Sequence, residues 1–260
     1  MELVRCLREA QAFVEERGLC CAYLAVYGSQ NYGLALDEPG YRSDVDIKCA
    51  VLPGLSLLAR EESVPAQTLD WRGGQIEIKD ARRFAQIVLR LNPAYLETLI
   101  TPYALTLSPA FEMMRAQAQM LVSRDPAGFL RACLGMGRQK VKDLCHPFPA
   151  ALEKINRFGY DGKQAHHLYR LLLVMRAFEE TGRYVLTPPE TERELLLALK
   201  KNELPLDRVR PLTQQWLADM EAICARQSAR RRGPAAPERL IRQAVYEAVE
   251  AHARDEARRG

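Results

Sequence analysis

The chain has 260 residues, of which 48% are hydrophobic and 27% are charged. This composition is typical of a folded protein with one large or two modest domains, and it excludes fibrous, collagenous and wholly disordered chains. Thirty-seven Lys and Arg against 33 Asp and Glu give a net charge of +4, which is too small for a protein that binds nucleic acid by overall charge alone.

The cellular setting follows from cysteine usage and from the absence of targeting patterns. The seven cysteines are scattered, odd in number and never spaced C-x-x-C, so we expect a reducing cytoplasm and neither a disulfide framework nor a zinc ribbon. No apolar run reaches the roughly 18 residues of a membrane helix. Residues 1–13 mix charged and apolar side chains, so we expect no targeting signal and no membrane partner.

In the N-terminal half, the hydrophobic pattern alternates between helical and strand spacing. It predicts an amphipathic helix over the first 20 residues, with Gly18 as its stop. Strands are predicted over residues 20–27, 45–52 and 75–79, where apolar side chains run continuously or alternate at a period of two. Helical spacing resumes at residues 80–91 and 95–100.

Beyond Pro102 the pattern is helical almost throughout. The predicted helices cover residues 109–122, 126–144, 149–158, 163–181, 190–200, 206–228 and 237–258. We therefore predict an α+β fold, in which an α/β domain over residues 1–107 is followed by an all-helical domain over residues 108–260.

The strongest set of candidate functional residues lies around the first two strands. Gly28 and Ser29 follow the first strand, where a glycine allows close approach of an anion and a serine offers hydrogen-bond donors. Asp44 and Asp46 alternate at the start of the second strand and face the same way. Two carboxylates so close repel each other unless a cation bridges them, and oxygen ligands favour Mg²⁺ beside phosphate.

A third carboxylate is expected on the next strand, and three residues compete for this place. Alternation favours Glu77, which lies between two isoleucines. Asp80 ranks second, because its position predicts a cap for the following helix. Asp70 also flanks the strand, and the choice among the three stays open.

Several motifs resemble those of a known family. GSQNYGL at residues 28–34 and SDVDIK at residues 43–48 are similar to the GSxxYGL and SDxDIK signature of predicted nucleotidyltransferases in the DNA polymerase β superfamily, in a family associated with RNA repair. Arg83-Phe84 with NPAYLE at residues 92–97 resembles that family's KF and NPxxLE, and GYDGKQAHHLYRL at residues 159–171 resembles GYDxKxAxHxxRL. The link over residues 36–42 is longer than the family's usual link.

The resemblance implies a polymerase β-like catalytic domain with a small mixed sheet, and a helical domain that completes a cleft for nucleotide and acceptor. It implies transfer of a nucleoside monophosphate from a nucleoside triphosphate to an acceptor hydroxyl, with RNA as the expected acceptor and pyrophosphate as the by-product. Asp44, Asp46 and Glu77 would be the catalytic residues and would bind Mg²⁺, as one or two ions, with Mn²⁺ able to substitute.

The resemblance also implies contacts to the nucleotide from two parts of the chain. Gly28, Ser29 and Ser43 belong to the N-terminal motifs and would bind its phosphates. The helical motif contributes three more residues, Lys163, His167 and Arg170, whose spacing of four and then three places them on one helix face. A solvated helix face is the alternative interpretation of Lys163 and Arg170, and a core histidine is the alternative interpretation of His167. We expect His166 at the surface and a structural role for Glu97.

Two other functions remain open at this stage. The same chemistry could act on a protein or a small-molecule acceptor, or the chain could be a non-catalytic RNA-binding module with the same fold. P-loop, serine-hydrolase and zinc-protease motifs do not occur in the sequence. The sequence predicts neither the base preference nor the oligomeric state.

Overall fold

The structure is a computed structural model, and it describes residues 2–38, 41–228 and 232–259. Packing divides the chain into two compact units. Unit 1 is Met1–Leu121 with Pro234–Gly260, and unit 2 is Val122–Gly233. The predicted domains 1–107 and 108–260 are functional assignments that stay predictions, whereas by packing the end of the chain belongs with the N-terminal unit.

Unit 1 contains the strands and the helices that cover them. In chain order these are α1 (Glu2–Glu15), β1 (Cys20–Tyr27), β2 (Asp37–Glu38), β3 (Tyr41–Arg42), β4 (Asp46–Leu52), α2 (Leu55–Ala59), β5 (Gln67–Trp71), β6 (Gly74–Asp80), α3 (Ala81–Leu89), α4 (Pro93–Ile100), β7 (Ala104–Thr106) and most of α5 (Pro109–Arg124).

The main sheet is small and mixed. Its strand order is β5-β6-β4-β1-β7, and β2 pairs with β3 in a separate ladder. β4 and β6 run parallel, whereas the other neighbouring strands run antiparallel. Together with the mostly helical remainder of the chain, this sheet confirms the predicted α+β class.

Both faces of the sheet are covered by helices. On one face, side chains of β1, β4 and β6 form an apolar core with the buried stripe of α1, which comprises Leu7, Ala10 and Val14. On the other face, Tyr23 of β1 stacks on Phe111 of α5, with ring centroids 4.8 Å apart. Phe84 and Tyr95, from α3 and α4, complete this aromatic cluster. The cluster fixes α4 against β1, beside the end of the strand where the candidate site lies.

Unit 2 is helical. Its helices are α6 (Pro126–Asp143), α7 (Leu152–Phe158), α8 (Gly162–Thr181), α9 (Arg193–Lys200) and α10 (Leu206–Gln227). The long helix α8 packs against α6, α9 and α10, which explains why it is buried along most of its length. The chain then ends in α11 (Ala236–Arg259), which packs on α2 and α3 within unit 1.

The sequence predicted most of these elements but missed some short ones. β5 and β7 were not predicted, and the helix predicted over residues 149–158 begins at Leu152. Residues 190–192 form a 3₁₀ turn before α9. Among the residues that the structure describes, no helix is long and apolar enough to cross a membrane.

Candidate functional site

A tight turn follows β1 at the residues of the GSQNYGL motif. The chain passes through Gly28 into a short 3₁₀ helix, Ser29–Tyr32, which ends at Gly33. Gly28 has a φ of 85° and Gly33 has a φ of 67°, a backbone region that glycine adopts at little cost. The two glycines therefore permit the turn. The hydroxyl of Ser29 makes no hydrogen bond with any described residue, so it is available to a ligand.

The carboxylate of Glu97 lies beneath this turn. Glu97 is on α4 and is 1% exposed. Its Oε1 accepts hydrogen bonds from the backbone N–H of Gly28 at 2.7 Å and from Nδ2 of Asn31 at 2.9 Å, and its Oε2 accepts one from the hydroxyl of Tyr32. The amide of Gly28 donates to Glu97, and the predicted phosphate contacts of Gly28 and Ser29 both stay predictions.

The two aspartates of the SDVDIK motif lie beside the turn. Asp46 begins β4 and is paired with Tyr27 in the antiparallel register of β1 and β4. Asp44 is exposed, and its carboxylate forms no hydrogen bond or ion pair within the described ranges. The side-chain amide of Gln30 donates to the backbone carbonyl of Asp44 at 3.4 Å. The structure thus places both aspartates next to the turn after β1.

Ser43, the first residue of the same motif, closes the preceding loop. Its backbone N–H donates to the carbonyl of Leu36 at 2.8 Å, and its hydroxyl accepts from the N–H of Leu36 at 2.9 Å. Residues 39 and 40, in the longer link between the motifs, lie outside the described residues. Ser43 therefore has a structural role in the loop, and its contact with a nucleotide stays a prediction.

Glu77 of β6 lies on the same face of the sheet as Asp46, because it neighbours Lys48 in the parallel register of β4 and β6. One carboxylate oxygen accepts from Nζ of Lys48. The other lies 2.9 Å from Nζ of Lys79 and accepts from the hydroxyl of Tyr95 at 2.6 Å. Burial raises the pKa of Glu77, but these two lysines and the tyrosine outweigh it and lower the pKa to about 2.

Lys48 is itself enclosed by aromatic rings. It is 5% exposed, and its Nζ lies 4.1 Å from the ring centroid of Tyr27 and 4.7 Å from that of Tyr95. A cation over the face of a ring is attracted by the ring quadrupole, so both tyrosines stabilise the ammonium. Burial raises the pKa of Tyr27, and the negative charges of Asp46 and Glu77 raise it further. Tyr27 therefore stays protonated among carboxylates.

The two alternative third carboxylates have other surroundings. Asp80 caps α3, as predicted, because its side chain accepts from the backbone N–H of Arg82 at 2.9 Å. It also accepts from the N–H of Val64 and from the guanidinium of Arg82. Burial raises the pKa of Asp80, but these hydrogen bonds lower it more. Asp70 is exposed on β5, which the sequence did not predict.

The predicted metal ligands are only partly assembled. Asp44 and Asp46 are neighbours, whereas the oxygens of Glu77 contact two lysines and a tyrosine. Across ranges 2–38, 41–228 and 232–259, no group of three or more His, Cys, Asp or Glu residues is arranged to hold a metal ion. The ligand set of Asp44, Asp46 and Glu77 therefore stays a prediction; within the described ranges, Asp44 is the member whose carboxylate makes no hydrogen bond or ion pair.

Unit 2 carries a separate group of basic side chains on α6 and α8. Lys163 is exposed, His167 is half-buried and Arg170 is 5% exposed. Nζ of Lys140, on α6, donates to Oε1 of Gln164 at 3.1 Å. Burial lowers the pKa of His167 well below its usual value, and the positive charges of Arg170, Lys140 and Lys163 lower it further. We call Lys140, Lys163, His167 and Arg170 the basic cluster; the sequence did not identify Lys140.

Two neighbours of the basic cluster shape the start of α8. Asp161 caps the helix by accepting from the backbone N–H of Lys163 at 3.1 Å. The expectation that His166 lies at the surface is wrong, since it is 2% exposed and its Nδ1 lies 2.9 Å from the carbonyl oxygen of Leu196. Burial lowers the pKa of His166 to about 4. It packs inward because α9 covers that side of α8.

Comparison with known proteins identifies the family. No curated protein matches this chain. Among protein families, the RNA repair pathway DNA polymerase beta family, RlaP, matches residues 4–257. This range includes the turn after β1, both aspartates, Glu77, Glu97 and the basic cluster. The match covers nearly the whole sequence, and the chain belongs to the RNA repair pathway DNA polymerase beta family.

Proposed function

We propose that this protein is a Mg²⁺-dependent nucleotidyltransferase, which moves a nucleoside monophosphate from a nucleoside triphosphate to an acceptor hydroxyl and releases pyrophosphate. One observation carries the proposal: the aspartate pair of a polymerase beta family member lies beside the turn after β1, where Ser29 has a free hydroxyl. The family match and the geometry of the turn therefore both support the aspartate pair and Ser29 as site residues.

The aspartate pair suits a divalent cation. Asp44 offers carboxylate oxygens that no described residue occupies, and Asp46 lies two residues away at the start of β4. Oxygen donors of this kind are the ligands of Mg²⁺, which commonly binds through one or two carboxylates together with substrate phosphates. When bound there, the metal would offset the negative charge of the triphosphate and of the transition state.

We assign the binding of the metal and of the triphosphate to three side chains. Asp44 and Asp46 hold the metal, and the hydroxyl of Ser29 donates to a phosphate oxygen of the triphosphate. The acceptor hydroxyl oxygen forms a bond to the α-phosphorus and its proton passes to solvent water, while the bond from that phosphorus to the bridging oxygen breaks and pyrophosphate leaves. Most of the rate enhancement then comes from positioning and charge neutralisation, because the protein forms no covalent bond with the substrate.

Glu77 has two possible places in this scheme. As the third ligand, its oxygens must leave Lys48 and Tyr95 for the metal. As a positioning residue, Glu77 keeps those contacts and holds Lys48 in place. A pKa of about 2 makes the carboxylate a weak base at neutral pH, so we do not assign to Glu77 the removal of the proton from the acceptor hydroxyl.

The basic cluster of unit 2 is a further candidate for binding phosphate. Lys140, Lys163 and Arg170 carry positive charge, and His167 stays neutral near pH 7 because its pKa is lowered. Two carboxylates lie near Lys140: Asp161, which caps α8, and Asp143, which accepts from Gln139. We assign the cluster to phosphate groups of the nucleotide or of RNA, and we retain RNA as the preferred acceptor on the family's link to RNA repair.

The direct test is to follow a label from the α-phosphate. Wild type and an Asp44→Asn/Asp46→Asn variant are incubated with Mg²⁺, each of the four α-labelled nucleoside triphosphates, and total cellular RNA, protein and small metabolites. Label on RNA, from wild type only, supports the proposal. Label on protein or on a small molecule moves the acceptor to that class. No label, with no stabilisation of wild type by Mg²⁺ and triphosphate, would favour a non-catalytic RNA-binding module.

A further inference from the structure

The buried carboxylate of Glu97 contacts the turn of the proposed active site at several points. It accepts three hydrogen bonds, from Gly28, Asn31 and Tyr32, and all three donors lie within a five-residue stretch of the turn after β1. The acid and the turn are separated by more than 60 residues in sequence. A single side chain of α4 therefore sets the conformation of a turn that the proposed function assigns to phosphate.

A second contact from α4 strengthens this link. The hydroxyl of Thr101, at the end of α4, donates to Oδ1 of Asn31 at 2.7 Å. Nδ2 of Asn31 also donates to the carbonyl of Val26 at 2.9 Å. Asn31 is thus fixed from α4 through Glu97 and Thr101, and from β1 through Val26, so its side chain has one possible orientation. This connects the turn both to the strand before it and to the helix behind it.

Electrostatics does not explain why a charged glutamate occupies this buried position. Burial of a carboxylate costs free energy, and a negative charge beneath a phosphate-binding turn repels the ligand. Three charge-assisted hydrogen bonds compensate the burial, but they do not remove the repulsion. Glu97 thus opposes the charge of the ligand and yet fixes three donors of the turn, at Gly28, Asn31 and Tyr32, which indicates that its benefit is geometric.

We propose that Glu97 is a positioning residue for the nucleotide site: it turns the N–H of Gly28 inward and holds the following 3₁₀ helix so that the hydroxyl of Ser29 is presented to the triphosphate. The inference rests on the proposed function, because it needs a triphosphate at this turn. It adds a residue that acts through the turn and does not itself contact the substrate.

The test compares Glu97→Gln with wild type. Glutamine keeps the size of the side chain but offers one acceptor oxygen in place of two, so at least one donor among Gly28, Asn31 and Tyr32 loses its partner. The matched control is Glu192→Gln, which removes the charge of a glutamate that accepts from the hydroxyl of Tyr169 at 2.6 Å in unit 2.

Two readouts separate positioning from simple loss of stability. Amide hydrogen exchange of residues 28–34, without substrate, reports the order of the turn. The equilibrium dissociation constant of Mg²⁺ and a non-hydrolysable triphosphate, corrected for the folded fraction, reports the site. For Glu97→Gln we expect faster exchange confined to the turn and about tenfold weaker binding, which is the loss of one hydrogen bond to a charged group. For Glu192→Gln we expect no change in either.

The possible failures are distinguishable. If wild type binds and Glu97→Gln binds equally well, the inference is overturned while the proposed function stands. If Glu97→Gln loses affinity only in proportion to its unfolded fraction, with uniform exchange across unit 1, Glu97 is merely structural and the inference is again overturned. If wild type itself binds no triphosphate at any Mg²⁺ concentration, the proposed function fails, and the inference fails with it.

Discussion

Replacing Lys48 with methionine removes a buried ammonium but keeps a long apolar stem. The substitution removes the ion pair with Glu77. This pair is largely buried, since Lys48 is 5% exposed and the side chain of Glu77 is 24% exposed. The pKa of Glu77 is about 2 instead of 4.5. At about 1.4 kcal/mol for each pKa unit, the folded structure favours the ionised carboxylate by about 3 kcal/mol. This value is the balance between burial of Glu77, which opposes ionisation, and the contacts with Lys48, Lys79 and Tyr95, which favour it.

The sign of the pH dependence follows from the direction of this difference. A carboxylate with a lower pKa in the folded than in the unfolded state stabilises the fold fully above the unfolded value of 4.5. That contribution is lost as the pH falls toward about 2. In Lys48→Met the pKa of Glu77 rises, because only Lys79 and Tyr95 remain as partners. We therefore expect a variant that is less stable at pH 7 but loses less stability between pH 5 and pH 2.

The assay is a double-mutant cycle of Lys48→Met, Glu77→Gln and the double variant, measured by urea unfolding at pH 7. Fluorescence of Trp71, in a Trp216→Phe background, restricts the signal to unit 1. We expect a coupling free energy of about 1 to 3 kcal/mol. A coupling free energy indistinguishable from zero, or an unchanged pH profile in Lys48→Met, would refute the reasoning.

An exposed ion pair in the same unit supplies the control. Nε of Arg60 lies 3.1 Å from a carboxylate oxygen of Glu62, and both side chains are more than half exposed. Exposed pairs typically contribute less than about 1 kcal/mol, because water and salt screen them and two long side chains lose entropy. The cycle of Arg60→Met and Glu62→Gln should therefore give a coupling free energy well below that of Lys48 and Glu77.

Two further predictions concern unit 2. Gly162→Ala should destabilise the unit by about 1 to 3 kcal/mol in thermal unfolding, because a Cβ there collides with the backbone carbonyl of Leu199. Gly135→Ala, with open space around its Cβ, should be neutral or stabilising. Equal stabilities for both variants would contradict the packing of α8 on α9. Lys140→Ala should weaken triphosphate or RNA binding about fivefold and reduce the salt dependence of binding. Lys142→Ala, at an exposed position on the same helix, should change neither. Titration at several salt concentrations measures both affinities, and equal losses of affinity in the two variants would remove Lys140 from the basic cluster.

Much of unit 1 could be predicted because its strands are patterned by burial. β6 alternates fully buried and more exposed side chains, and β4 begins with alternating polar and apolar residues, so a period of two predicted which way Glu77 and Asp46 face on their own strands. β5 was missed because three of its five residues are polar and exposed at a sheet edge, a pattern that also fits a loop. β7, Ala104–Thr106, is too short to show a period.

The environment of each acid could not be predicted in the same way. The pairing of Glu77 with Lys48 depends on the parallel register of β4 and β6, which the sequence of either strand does not contain. Glu97 contacts a turn more than 60 residues away, and a lone glutamate in a helix gives no signal of such a contact. His166 and His167 are adjacent, so only the position of α9 decides which of them is covered.

The central claim is that the aspartate pair catalyses nucleotidyl transfer, and a comparison of two labels on one triphosphate tests it most directly. Wild type and Asp44→Asn/Asp46→Asn are supplied with Mg²⁺, RNA and triphosphate labelled on either the α- or the γ-phosphate. The account predicts α-label in RNA and γ-label recovered as pyrophosphate, with both lost in the variant. Transfer of the γ-label to an acceptor, or the same transfer of α-label by the variant as by wild type, would contradict it.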